Sequence, residues 1–273
     1  MHTARTFLFV TVIALPGAGC GGSDPDSFSS GGTANATGGS ANPLGGASSN
    51  TGGSSSTSGS TSNAGSGTGG APTAIPSLLP WKVGNIWTYQ VTAAGVVSSK
   101  VTTVEAAELV GGAGPNRGLM AFRVVTRKGA SGTDESISWQ GPVGDKIVRY
   151  REQSYGAMTG MLQLEEHWSP YKLHVDGSSS HVQSGATWLE QYEETKLPAG
   201  AQATTASASD TWAVTSSSER VTVPAGTFDA VVYQKTSGGG GASKTYYYAR
   251  GVGKVKEVGA SQVEELASYT VLP

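Results

Sequence analysis

Trp87-Thr88-Tyr89-Gln90-Val91 alternates large apolar side chains with polar ones, residue by residue. A two-residue period puts Trp87, Tyr89 and Val91 on one face of an extended chain and Thr88 and Gln90 on the other, the mark of a strand with one buried face. Working outward, similar runs cover about 97–109, 118–128, 134–140, 145–152, 161–168, 171–176, 186–196, 210–223, 227–236, 244–249, 254–258 and 262–271. Val, Thr, Tyr and Trp, which fit a pleated, half-buried surface, are enriched in them. Gly, Pro, Asn and Asp separate the runs, and no window of about twelve residues carries a helical apolar stripe. The fold class is all-β and antiparallel.

The turns and the faces suggest an architecture. Val223-Pro224-Ala225-Gly226-Thr227-Phe228 predicts a tight hairpin, with Pro224 presetting φ and Gly226 free to take the left-handed conformation that closes a three-residue loop. Asp176–Ser180 and Ser237–Ala242 read as further loops. Val231-Val232 and Tyr246-Tyr247-Tyr248 are apolar on both faces, which suits strands covered on two sides. Trp188, Glu190 and Tyr192 share one face, and a carboxylate among aromatics suits a partly wet concavity or an edge. A strongly curved sheet or incomplete barrel accommodates both patterns, with a two-sheet sandwich as the alternative.

The chain also resembles itself. Val83-Gly84-Asn85-Ile86-Trp87 has a counterpart in Ser184-Gly185-Ala186-Thr187-Trp188. Phe122–Val125 then corresponds to Ala230–Tyr233, and Ser138–Lys146 to Tyr247–Val255. Two related meanders, about 81–155 and 184–271, are expected from duplication.

Ahead of the strands the composition changes. Arg5 precedes Phe7–Leu15, a run apolar but for one Thr, and Pro16-Gly17-Ala18-Gly19 leads into Cys20. This is the charged, apolar and small-residue sequence of an export signal, too short to cross a bilayer as a helix. Ala18-Gly19-Cys20 resembles the end of a bacterial lipoprotein signal, although Gly17 stands where Leu is usual. The resemblance implies cleavage after residue 19 and lipidation of Cys20. Plain secretion is the alternative. Gly21-Gly22 carries no acidic inner-membrane retention signal, which points to the outer membrane.

Gly21–Ala74 is almost wholly Gly, Ser, Thr, Ala and Asn, too poor in apolar surface to collapse. It is expected to be a disordered tether with a reach of about 40 Å. The expected organisation is therefore a signal peptide at 1–19, a lipidated Cys20 and tether at 20–74, and an all-β domain at 75–273. A domain of that size needs neither disulfide nor metal for stability. Cys20 is the one cysteine of the 273 residues, so no internal bridge is available. The net charge of −2 offers no basic field, which argues against nucleic-acid binding.

Val221–Ala230, followed by Tyr246–Val255, is similar to a family of uncharacterised bacterial envelope β-domains with a VPAGTF hairpin and an aromatic, G-V-G-containing strand pair. The likeness is firm over about 35 residues, and Arg250 departs from the Pro expected before Gly251. It implies a curved antiparallel sheet in an exported protein, and no activity or catalytic residues.

Gly238–Thr245 imitates a phosphate-binding loop, but Ser243 stands where Gly is needed and a strand follows instead of a helix. His167, His174 and His181, with Glu165, Glu166 and Asp176 nearby, converge on a metal only if the chain folds back at Pro170 and Gly177. Glu165-Glu166, Glu193-Glu194 and Glu264-Glu265 point to opposite faces of strands and make no acid–base dyads. No nucleophile elbow is present. Trp81, Trp87, Trp139, Trp168, Trp188 and Trp212 suit a core or an aromatic ligand cleft.

The expectation is a lipid-anchored envelope protein, not an enzyme, with no cofactor and no metal. Its β-domain would bind a ligand or protein partner. A hydrolase of unrecognised type and a structural surface protein are the alternatives. Cys20 is the one site residue assigned.

Overall fold

The computed structural model describes residues 76–129, 134–157, 159–238 and 241–273. The export signal, Cys20, the tether and Ile75 lie outside the described residues. Twelve strands follow in order: β1 (Ile86–Ala93), β2 (Val96–Leu109), β3 (Met120–Lys128), β4 (Asp134–Val143), β5 (Lys146–Tyr155), β6 (Leu162–Asp176), β7 (Thr187–Pro198), β8 (Thr204–Val223), β9 (Gly226–Ser237), β10 (Ser243–Ala249), β11 (Gly253–Val258) and β12 (Gln262–Thr270). Each pairs antiparallel with its sequence neighbours, and β1 pairs with β12 from Ile86↔Thr270 to Ala93↔Gln262. All-β and antiparallel hold. The incomplete barrel does not, because β1 and β12 close the ring. The two-sheet sandwich fails for the same reason. Closure satisfies the backbone groups that two edge strands would leave open.

The two-residue period sorts side chains into lumen and outer wall. Trp87 and Tyr89 point inward from β1, and Lys100 and Thr102 inward from β2. An eight-stranded barrel is just filled by its own side chains, and diameter grows with strand number. Twelve strands leave more room, which this chain fills differently at its two ends. Where β1 begins, Pro76–Trp81 plugs the barrel, with Leu78 and Leu79 buried and Trp81 stacked on Trp87 at 5.5 Å. Above the plug Trp212 stacks on Trp188 and Tyr246 and meets the edge of Tyr233. Toward the opposite end the inward positions become Lys100, Lys128, Glu152, Glu166, Lys196, Asp210, Lys235, Lys244, Glu257 and Glu264.

The outer wall carries the ion pairs Arg123–Glu105, Arg127–Glu135 (2.8 Å) and Lys256–Glu265 (2.8 Å). Membrane-spanning barrels reverse this arrangement, with an apolar band outside. This wall suits water.

Two local expectations change. Val223 pairs directly with Gly226, so the hairpin has the two-residue turn Pro224-Ala225, and Gly226 stands at its far side with φ +136°. The two halves share their opening. Gly84 N–H donates to Val104 O and Val104 N–H to Asn85 O, just as Gly185 N–H donates to Val214 O and Val214 N–H to Ala186 O. The later correspondences are out of phase. Val124 lines the lumen, while its supposed counterpart Val232 pairs with the outward Tyr247. A one-residue slip exchanges the faces.

Candidate functional site

Inside the barrel lies a cavity of about 100 Å³. Leu79, Trp81, Trp87, Trp212, Tyr246 and Tyr248 form its aromatic side, and Thr102, Thr126, Ser136, Ser138 and Gln140 a hydroxyl and amide side. Its described lining includes six cationic residues, Lys100, Lys128, Arg149, Lys172, Lys235 and Lys254, against two carboxylates, Glu152 and Glu257. No composition count shows this, because the chain as a whole carries a net −2.

Buried charges need partners, and the lumen supplies many of them. Lys254 donates to Glu257 and to Glu264 (3.0 Å), while Lys100 donates to both oxygens of Glu264 (2.8 and 2.7 Å). Burial works against charging Lys254, but Glu257 and Glu264 outweigh it and hold its pKa well above the usual lysine value. Burial would likewise raise Glu264, yet Lys100 and Lys254 pull it below the ordinary range. Lys100 is lowered, by burial first, with Glu264 opposing. Arg149 binds Glu152 at 2.7 Å, and Lys235 lies 3.7 Å from Asp210. Arg149 and Lys172 also sit over the Trp168 ring, at 5.7 and 5.4 Å.

Among the cavity-wall atoms with no hydrogen-bond partner among the described residues are one on Gln140 and one on Trp81. Gln140 is 3 % exposed; its Nε2 donates to Ser138 Oγ, and its Oε1 accepts nothing. The buried Trp81 Nε1 donates to nothing. One acceptor and one donor thus remain open.

No protein-family model matches the sequence, and no curated protein does. Two solved structures are similar in fold. One is a candidate exported protein with a YmcC-like fold from Bacteroides fragilis, 14% identical, with 71% of this chain and 99% of that chain covered and a TM-score of 0.45. The other is a candidate lipoprotein from Parabacteroides distasonis, 12% identical, with 72% and 100% covered and a TM-score of 0.45.

The histidines do not converge. His174 lines the cavity, His167 lies on the outer side of β6, and His181 sits in the loop after β6 with Nδ1 2.7 Å from Asp176 and its ring stacked on Trp188 at 4.0 Å. Among the described residues no group of three His, Cys, Asp or Glu is placed to hold a metal. The adjacent carboxylates separate as the strand period requires. Glu166 pairs with the inward Glu152, while Glu165 faces out. Glu264 is buried in the lumen, and Glu265 pairs with Lys256 on the wall. Of the tryptophans, Trp81, Trp87 and Trp212 line the cavity. Trp139 lies outside, donating to Glu108 and carrying Arg151 4.2 Å above its ring.

A second charged cluster lies on the outer wall. Glu165 accepts from Arg151 (2.7 Å) and Gln153 (2.6 Å) and contacts His167 (2.7 Å). Burial acts to raise Glu165, but these bonds outweigh it and its pKa is lowered. The β2–β3 loop closes over the cluster, with Arg151 donating to Val110 O at 2.8 Å. Only a bare backbone fits there. A Cβ on Gly112 (φ +68°) would lie 2.6 Å from His167 and 2.8 Å from Arg151, and one on Gly114 2.4 Å from His167. Gly112→Ala is expected to cost about 1–3 kcal/mol through overpacking and an unfavourable φ. Urea unfolding checks this, and an unchanged midpoint would contradict it.

Two lumen carboxyls set a pH dependence. Burial, then the neighbouring Glu152, pushes Glu166 up to about 7. Burial also pushes Glu190 up to about 7, against the hydrogen bond it accepts from Leu173 N–H. A carboxyl raised in the folded state binds more protons there than in the unfolded chain. Its opposition to folding is absent below about pH 4.5 and complete above about 7. Each carboxyl can cost on the order of 3 kcal/mol across that window. Glu165, Asp176 and Glu264, which are lowered, contribute stability that is lost as pH falls below about 4.5. Stability is expected to peak at about pH 5–6 and fall toward pH 8, with Glu190→Gln flattening the upper limb. Melting temperatures from pH 4 to pH 9 test this.

Proposed function

We propose that this chain is a lipid-anchored cell-envelope protein, on the outer membrane, whose barrel holds a small polar ligand in its lumen without turning it over. The observation that carries the reading is the cavity itself. Aromatic walls, a charged lining and two polar atoms without a hydrogen-bond partner, Gln140 Oε1 and Trp81 Nε1, border one buried space. A core built only for stability would be served better by apolar side chains of similar volume. About 100 Å³ also leaves space for several waters or one small molecule.

The anchoring half of the proposal rests on Cys20 and the export signal before it.

Two experiments separate the halves. A fatty-acid probe should label the wild type and leave Cys20→Ala unlabelled; equal labelling would remove the anchor. Full-length protein isolated from host envelopes should release a polar small molecule near stoichiometry when denatured. Ser136→Trp, which fills the cavity from β4, should release little while melting normally. Equal release from both proteins would refute a lumen site.

A further inference from the structure

Building on the anchoring reading, we propose that the plugged end of the barrel is a membrane-docking surface, whose exposed aliphatic rim sets shallowly into the lipid headgroup region.

The rim is an asymmetry of the fold. Leu109 lies six residues beyond Thr103, the partner of the first residue of β1, so β2 and β3 run past the barrel wall at this end. There Leu109 (58% exposed) and Met120 (62%) are direct cross-strand partners, and Leu119 (45%) precedes Met120. Val143, also exposed, stands at the same level on β4. It follows Gln140 by three residues, as Leu119 precedes Gln140's partner Phe122 by three. Three adjacent strands thus bring four aliphatic side chains to one stretch of rim. Val83 and Leu272 are exposed at the same end, where Leu272 N–H donates to Asn85 Oδ1 at 2.9 Å. The opposite end is different. Its exposed aliphatics, Val96 and Val97 after β1 and Met161 before β6, stand on separate hairpins with β3 and β4 between them. Contiguous apolar surface left in water marks a contact site, whereas scattered single side chains do not.

The occupant follows from the chemistry of the rim and from the chain that leads to it. Pro76 and Ser77 are fixed at this end, Pro76 O accepting from Arg250 (3.3 Å) and Ser77 O from Gly251 N–H (2.8 Å). A coil with the composition of Gly21–Ala74 reaches about 40 Å. A tether that long leaves either end of the barrel free to meet the bilayer, so the surfaces themselves must choose. It also holds the domain at a roughly millimolar effective concentration, at which a weak contact suffices. Interfacial binding grows with the apolar area set into the headgroup boundary, which aliphatic strand ends supply. A protein partner fits less well. The hot spots of protein interfaces favour Trp, Tyr and Arg, with Leu and Val under-represented.

The exported form, residues 20–273 with Cys20→Ser, is given one new cysteine and labelled there with a polarity-sensitive fluorophore. It is then mixed with phosphatidylcholine vesicles at millimolar lipid. A label at Met120→Cys is expected to shift to the blue and brighten at least twofold. One at Met161→Cys, as exposed but at the other end, should not change. Leu109→Ser with Leu119→Ser, added to the Met120→Cys chain, should weaken vesicle binding at least tenfold. Its melting temperature should hold, because both side chains face solvent. No shift at either position, or equal shifts at both, would overturn the inference. A shift at Met120→Cys that needs no lipid and grows with protein concentration would overturn the lipid and assign the rim to a second copy of the chain. Cys20 is absent from every sample, so these outcomes stand apart from fatty-acid labelling, which alone decides the anchor.

Discussion

Lys254→Met is expected to lower the unfolding free energy by about 3–5 kcal/mol, the range for breaking a buried charge pair from one side. Lys254 is 9% exposed, Glu257 3% and Glu264 2%. Glu257 and Glu264 are direct cross-strand partners on β11 and β12, so without the ammonium two buried carboxylates would face each other. Lys254 donates to both, and its Nζ lies 5.3 Å from the centre of the Tyr89 ring. Lys100 on Glu264 and Lys244 on Glu257 remain, which keeps the loss within that range and short of complete unfolding. The control lies two residues away. Lys256 binds Glu265 at 2.8 Å on the outer wall, where water screens the pair, and Lys256→Met should cost less than about 1 kcal/mol. Urea denaturation of both variants reads the difference. Equal losses would mean that the inward and outward faces have been exchanged.

Trp212→Ala is expected to cost about 3–5 kcal/mol, as for other fully buried aromatic truncations. Trp212 is 2% exposed and contacts Trp188, Tyr233 and Tyr246, so its loss removes the shared neighbour of three rings. Its Nε1 also donates to Glu190 at 3.2 Å, the carboxyl that burial already holds near 7. Trp212→Phe keeps most of the packing and removes the donor. It should cost about 1–2 kcal/mol and raise the Glu190 pKa further, shifting the upper limb of the pH–stability profile. A small loss in Trp212→Ala would show that the rings are not stacked as described.

The two-residue beat was enough to read the fold class, since it follows directly from the geometry of a strand. Trp87, Tyr89 and Val91 all turn inward as the run at β1 requires. Closure was not legible, because it depends on the contact between β1 and β12 at opposite ends of the domain, and nothing local in Gln262–Thr270 names its partner. The local likeness of the two strand openings could be read at Gly84 and Gly185, where the chain needs positive φ. It was lost further on, where bulges at Val104/Ala107 in β2–β3 and at Val214/Ser216 and Ser216/Glu219 in β8–β9 change the phase.

The site was harder to see. Lysine and glutamate at alternate positions ordinarily mark water, so nothing in the sequence singled out Lys100, Lys235, Lys254, Glu257 and Glu264 as lumen residues. The one run that gave the lumen away was Trp188-Leu189-Glu190-Gln191-Tyr192, with Glu190 on the aromatic face, and the partly wet concavity inferred from it is the barrel interior. The Arg151–Glu165–His167 cluster had a signal only in hindsight. The glycines of Gly111-Gly112-Ala113-Gly114 mark a loop that must lie close against something.

Barrel closure underlies the cavity, the buried ion pairs and the ligand proposal alike, and one cross-link tests it. Gln90 and Glu265 are direct partners on β1 and β12, both on the outer wall. In full-length protein carrying Cys20→Ser, Gln90→Cys with Glu265→Cys should oxidise to a disulfide as readily as the local pair Gln90→Cys with Ser99→Cys, and electrophoretic mobility reads both. Cross-linking of the local pair alone would mean that β1 and β12 do not meet and that the lumen does not exist.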